Sequence, residues 1–186
     1  MAGSIDKRDR ILAGKATVEE VYNEGKDELY KWRRVGDGVS RMIRGGEQEA
    51  KISAFVDQAI QDRTIEDKID LGLFINQSAL AAQIGSVANS LRTVVLQASY
   101  LHHVFDNHGL GGVRKDRYPV VPDDLLMALM VLNEADQIEF NGTTRKNGNL
   151  LVKFTKEIAG IQHKVIAEVR PGKRNRNLAV YNYYKR

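Results

Sequence analysis

Apolar positions recur at helical spacing through the first 108 residues and at alternate positions after residue 136. Val18, Val21, Tyr22, Leu29 and Trp32 fall near one side of a 3.6-residue repeat. Thr17 and Glu20 form a capping box ahead of them, so the pattern predicts a helix over 18–35, closed by Gly36 and Gly38. After Gly45-Gly46, residues Ile52, Phe55, Val56, Ala59 and Ile60 predict a second helix over 47–61. Thr64 is read as the cap of a short third helix carrying Ile65 and Ile69, and Ser78 as the cap of a fourth running to Ile84. The strongest stripe is Leu91, Val94, Val95, Ala98, Leu101 and Phe105, which predicts one long helix over 87–108, with Gly109 as the left-handed residue that ends it. Beyond a charged loop at 114–118, Asp123 or Asp124 caps a last helix with Leu125, Leu126, Leu129, Met130 and Leu132 on its apolar side.

From Asp136 the period is two. Asn141-Gly142 is a strong two-residue hairpin signal, because both turn positions want positive φ. Lys146-Asn-Gly-Asn149 and Ala159-Gly160 read as turns, and Pro171-Gly-Lys-Arg-Asn-Arg176 as a basic loop. Strands are expected at 137–140, 150–158, 161–170 and 177–184. The fold class is therefore α+β: a helical N-terminal extension, residues 1–86, then a unit of residues 87–186 in which helix packs on a four-stranded antiparallel meander.

Composition narrows the function classes. The chain has 186 residues and no cysteine, which removes thiol nucleophiles, thiolate metal sites and disulfides. No apolar run approaches the roughly 18 residues of a membrane span, and the polar start MAGSIDKRDR lacks the apolar core of a secretory signal, so a cytoplasmic protein, or one delivered without a Sec signal, with no membrane contact is expected. The net charge of +4 is unevenly spread. Residues 141–186 hold eleven Lys and Arg against Glu157 and Glu168. A polyanion partner or a solvated basic face both account for that asymmetry.

Two groups of residues carry candidate chemistry. Three of the four histidines, His102, His103 and His108, fall within seven residues at a helix end. None of these pairs has the i,i+4 spacing of a helical metal site, so no metal and no cofactor are expected. Imidazoles there suit the negative end of a helix dipole, and they equally suit proton transfer near neutral pH. The second group is the basic sheet. Lys153, Lys164 and Arg170 project from strands, and Arg145, Lys173, Arg174 and Arg176 from turns, where they suit phosphate. Tyr181, Tyr183 and Tyr184 suit either base stacking or ordinary strand packing.

The order HVFDNHG, VVPDDL, DQIEFNGTTRKNGN, IQHKVIAEVRPGKR and LAVYNYYK, from His103 to Lys185, resembles the phage-associated nuclease domains grouped with barnase, EndoU, colicin and RelE toxins. His103 and His108 match that family's H-I-x-x-x-H-G pattern. The resemblance implies a phage or mobile-element protein, in the host cytoplasm or on the virion, that cleaves RNA without metal through attack of a 2′-hydroxyl. Virion proteins or an immunity protein are the further partners it implies. Carried over, His103 and His108 are acid and base and Tyr184 completes the catalytic set. Arg145, Lys153, Lys164 and Lys173 hold phosphate. Asn182 stands where the family usually has Thr or Ser, and an amide can bind substrate but cannot relay a proton as a hydroxyl does. A binding protein that keeps the fold without the chemistry is the alternative, and an enzyme acting on a free nucleotide or NAD is a third reading.

Overall fold

The computed structural model describes residues 30–35, 38–43 and 47–186, with side chains from residue 48 onward. Strands β1 (Tyr30–Val35) and β2 (Gly38–Ile43) pair antiparallel as a two-stranded sheet. The end of the helix expected over 18–35 is therefore a strand, and residues 18–29 lie outside the described residues. Tyr30, Trp32 and Val35 favour extended backbone, and pairing with the next segment overrides the helical spacing.

Helix α1 (Glu47–Gln61) matches its expected span and buries Ile52, Val56 and Ala59. The third helix is absent. Asp62 Oδ1 accepts hydrogen bonds from the Thr64 amide (2.9 Å) and hydroxyl (2.6 Å), which turns the chain into strand β3 (Lys68–Leu73). Helix α2 (Gln77–Ile84) follows, close to expectation.

The long helix expected over 87–108 is three elements: a 3₁₀ turn (Ser86–Ser90), strand β4 (Thr93–Gln97) and helix α3 (Ala98–His108). Val94, Val95 and Leu96 are at most 5% exposed, so β4 is buried on both faces. A strand covered on both sides reads as a continuous apolar run and mimics a buried helix. Gly109 is not left-handed, with φ −72° and ψ 174°. A β-carbon there would lie 2.6 Å from the Phe105 carbonyl oxygen, so the need for glycine is close approach. A 3₁₀ helix (Pro122–Met127) and helix α4 (Ala128–Asn133) complete the helical part, and Asp124 Oδ2 accepts the Val121 amide at 2.8 Å.

Strands β5 (Gln137–Thr143), β6 (Leu150–Ile158), β7 (Ile161–Gly172) and β8 (Asn175–Lys185) form the expected antiparallel meander. The sheet is larger and mixed, however. Its order is β3-β4-β8-β7-β6-β5, with β4 parallel to β8 and β3 antiparallel to β4. Asn141-Gly142 does not turn the chain: it sits at an irregularity within β5, where Gly142 has φ +90°. The turn comes later, where Thr144 Oγ1 bonds Asn147 and accepts the Asn149 amide at 3.2 Å. Ala159 and Gly160 (φ +52° and +77°) make the tight turn foreseen between β6 and β7.

One face of the meander is core. Val152, Phe154, Val165, Ala167, Val169, Leu178, Val180 and Tyr183 are each at most 1% exposed, and α4 packs on β6 and β7. Burying each large side chain contributes about 2 kcal/mol. The opposite face, set by strand alternation, carries Lys153, Thr155, Lys164, Glu168, Arg170, Asn177, Asn182 and Tyr184. Among the described residues no helix is long and apolar enough to cross a membrane.

Candidate active site

The polar face acquires its chemistry from α3, which packs against β8. Beyond Gly109 the loop folds back on the helix end. The Val113 and Arg114 amides bond the Asp106 and Asn107 carbonyls at 2.9 Å, and the Val120 amide bonds that of His108 at 2.7 Å. This return carries Asp116 to His108, where Asp116 Oδ2 lies 2.5 Å from Nδ1. The two side chains are 24% and 12% exposed, which shields the pair from bulk water. A carboxylate on Nδ1 fixes that nitrogen as the donor, so in the neutral ring Nε2 is the nitrogen that carries the lone pair. The Asn182 amide nitrogen is 3.4 Å from Nε2. The Tyr184 ring stacks on the imidazole, with centroids 5.3 Å apart and planes at 27°, and Arg186 lies over the other ring system at 5.4 Å from the Tyr184 centroid.

Register adds the cations. Thr155, Lys164 and Tyr184 form one cross-strand row, and Lys153, Ile166 and Asn182 the next. Directly opposed residues have β-carbons about 5 Å apart, so Lys164 flanks Tyr184. Lys164 forms no ion pair among the described residues, whereas Lys153 is bonded to Glu139 at 2.8 Å and its charge is already matched.

Further along the same face lies a buried polar cluster. Glu168 is fully buried and accepts hydrogen bonds from Tyr100 Oη (2.5 Å), Asn149 (2.7 Å), Asn147 (3.2 Å) and Arg170 Nη2 (2.9 Å). Burial would raise its carboxyl, but these hydrogen bonds outweigh burial and hold it below its ordinary value. Burial and the Glu168 hydrogen bond raise the Tyr100 hydroxyl. Arg170 also reaches Gln97 Oε1 at 2.6 Å. The cluster ties the 144–149 turn, β7 and α3 together, and its saturated carboxylate has no free lone pair facing solvent.

His108, Asn182, Tyr184 and Lys164 thus share one surface. His103 does not join them: it is exposed, and its ring nitrogen lies 3.2 Å from the Asn107 amide on its own helix. Arg145 is exposed in the turn held by the Glu168 cluster. Lys173 lies in the β7–β8 turn, at the opposite end of β8 from Tyr184. The fourth histidine, His163, is in the core, its Nδ1 2.6 Å from Tyr183 Oη. Asp116 and the Glu168 cluster were missed by sequence reasoning. The only local signal for Asp116 was an acid placed a glycine-rich turn beyond a helix-end histidine. Among the described residues no three His, Asp or Glu side chains gather as a metal-ligand set. Comparison with protein-family models, with curated proteins and with solved structures gave no match.

Proposed function

We propose that the chain is a phage or mobile-element nuclease that cleaves RNA without a metal ion, with His108 as general base. The supporting observation is the Asp116–His108 pair, stacked on Tyr184 and flanked by Asn182 and Lys164 on one sheet face. In this reading a ribose 2′-oxygen attacks the adjacent phosphorus and gives its proton to His108 Nε2. Lys164 faces the charge that develops on the phosphate oxygens. The bond to the 5′-oxygen breaks, and Tyr184 supplies that oxygen with a proton. The products are a 2′,3′-cyclic phosphate and a free 5′-hydroxyl. His103 has no step. Asn182 turns its amide from Nε2 to a phosphate oxygen when substrate enters.

One observation favours the non-catalytic alternative. Asn182 stands at the nitrogen the base needs, so a chain that binds RNA and leaves it intact fits the same contacts.

Purified protein is incubated with labelled RNA in excess chelator, and the ends formed are identified. The reading expects cyclic-phosphate ends, a loss on the order of 100-fold or more for His108→Ala and Asp116→Asn, and unchanged cleavage for His103→Ala. Cleavage equal in wild type and His108→Ala removes His108 from the mechanism. Salt-sensitive binding without cleavage by wild type supports the alternative.

A further inference from the structure

At the other end of the sheet, a cavity of about 470 Å³ opens where β3, β4 and the β7–β8 turn meet. Thr93, Val95 and Asn177 are on its floor, and Val95 and Asn177 are 5% and 6% exposed. Lys68, Arg92, Lys173, Arg174 and Arg176 surround the opening and are exposed. Among the described residues none of the five forms an ion pair with an acid within 4.0 Å. The exception to the positive lining is Asp70, whose carboxylate accepts the Gly72 amide at 3.1 Å.

A second observation points to a ligand. The Asn177 side-chain oxygen is buried and has no hydrogen-bond partner. Less than 1 Å² of that oxygen is open, so a ligand's donor reaches it when the amide turns toward the cavity; a buried acceptor without a donor costs about 1–3 kcal/mol, which favours that turn. The cavity therefore asks for a molecule with an anionic end for the rim and a hydrogen-bond donor for the floor. The volume is at the scale of small-ligand sites and suits one nucleotide.

We propose that this cavity binds a nucleotide, its phosphate on the Lys173, Arg174 and Arg176 side and its sugar hydroxyl or base amino group on Asn177. The site is separate from His108. Asn177 and Tyr184 are seven positions apart on β8, roughly 23 Å at strand rise. It stands whether or not His108 is catalytic. The nucleotide is either free or one residue of an RNA strand, and both present the same phosphate.

Calorimetric titration of the full chain tests this with adenosine 5′-monophosphate, inorganic phosphate and a six-nucleotide RNA. Adenosine monophosphate is expected to bind more tightly than inorganic phosphate. Lys173→Ala/Arg174→Ala, two exposed turn positions, is expected to weaken both by about tenfold or more, as loss of charge-assisted hydrogen bonds does. Asn177→Leu is expected to weaken the nucleotide and leave inorganic phosphate unchanged. His108→Ala is expected to bind adenosine monophosphate as wild type does, which keeps this result independent of the cleavage assay. A parallel loss of RNA affinity in the double variant assigns the site to a strand, and retained RNA affinity assigns it to a free nucleotide. No binding of adenosine monophosphate, equal binding of inorganic phosphate, or binding indifferent to the double variant overturns the proposal.

Discussion

Acidification is expected to destabilise this protein through one core histidine. His163 is fully buried between β6 and β8, its Nδ1 bonded to Tyr183 Oη and its Nε2 without a partner. Burial, helped by the nearby Lys185 ammonium, pushes its imidazole down from 6.5 to about 4. Between those values the unfolded chain takes up a proton that the folded chain refuses. Stability is therefore complete above pH 6.5 and falls as the pH drops toward 4. At about 1.4 kcal/mol per pH unit, the loss reaches roughly 3 kcal/mol at pH 4. Asp124, 2.7 Å from Lys185 on the same side of the sheet, has its carboxyl raised by burial and acts in the opposite sense. The measurement must therefore be differential. Urea unfolding followed by circular dichroism at pH 7 and pH 4 is compared between wild type and His163→Gln, which keeps a partner for Tyr183 but cannot take up the proton. Wild type should lose roughly 3 kcal/mol more than the variant over that interval. An equal loss in both proteins would refute the assignment.

Two further outcomes follow from packing. Glu168→Gln leaves Arg170, whose side chain is 17% exposed, without its countercharge and sets an amide donor either against Tyr100 and Arg170 or against Asn147 and Asn149. A loss of about 3–5 kcal/mol in urea unfolding is expected, and a loss under 1 kcal/mol would show the cluster to be incidental. Gly109→Ala forces a β-carbon against the Phe105 carbonyl, so the end of α3 must shift. A cost of about 2 kcal/mol and a displaced His108–Tyr184 stack, read from the His108 proton chemical shifts, are expected. An alanine variant with wild-type stability and shifts would show that the helix end yields freely.

The meander was legible because its residues alternate and its turns carry their own chemistry, as Ala159-Gly160 does. The two strands that widen the sheet were not. β4 is apolar on both sides and so carries no period of two, and the 3.6-residue stripe through Leu91, Val94 and Leu101 runs from the link after the 3₁₀ turn through β4 into α3. Asn141-Gly142 misled because its turn preference is local, while the Thr144–Asn149 hydrogen bonds fix where the hairpin closes. The same division holds for the candidate site. His108, Lys164, Asn182 and Tyr184 could be picked by residue type and strand position. Asp116 could not, because only the backbone bonds of the 109–120 return bring it to His108. Lys173 and Tyr184 bracket one strand, and alternation says nothing of the distance between its ends.

Strand β8 occupies an interior position in the sheet, with β4 on one side and β7 on the other. During synthesis the slot between those two neighbours stays open until β8 has emerged. Tyr184 and Asn182 lie on β8, so the surface around His108 is assembled only then. A nascent chain without β8 therefore lacks the finished site, and loss of β8 would leave two half-sheets with facing unpaired edges, a species expected to aggregate rather than act.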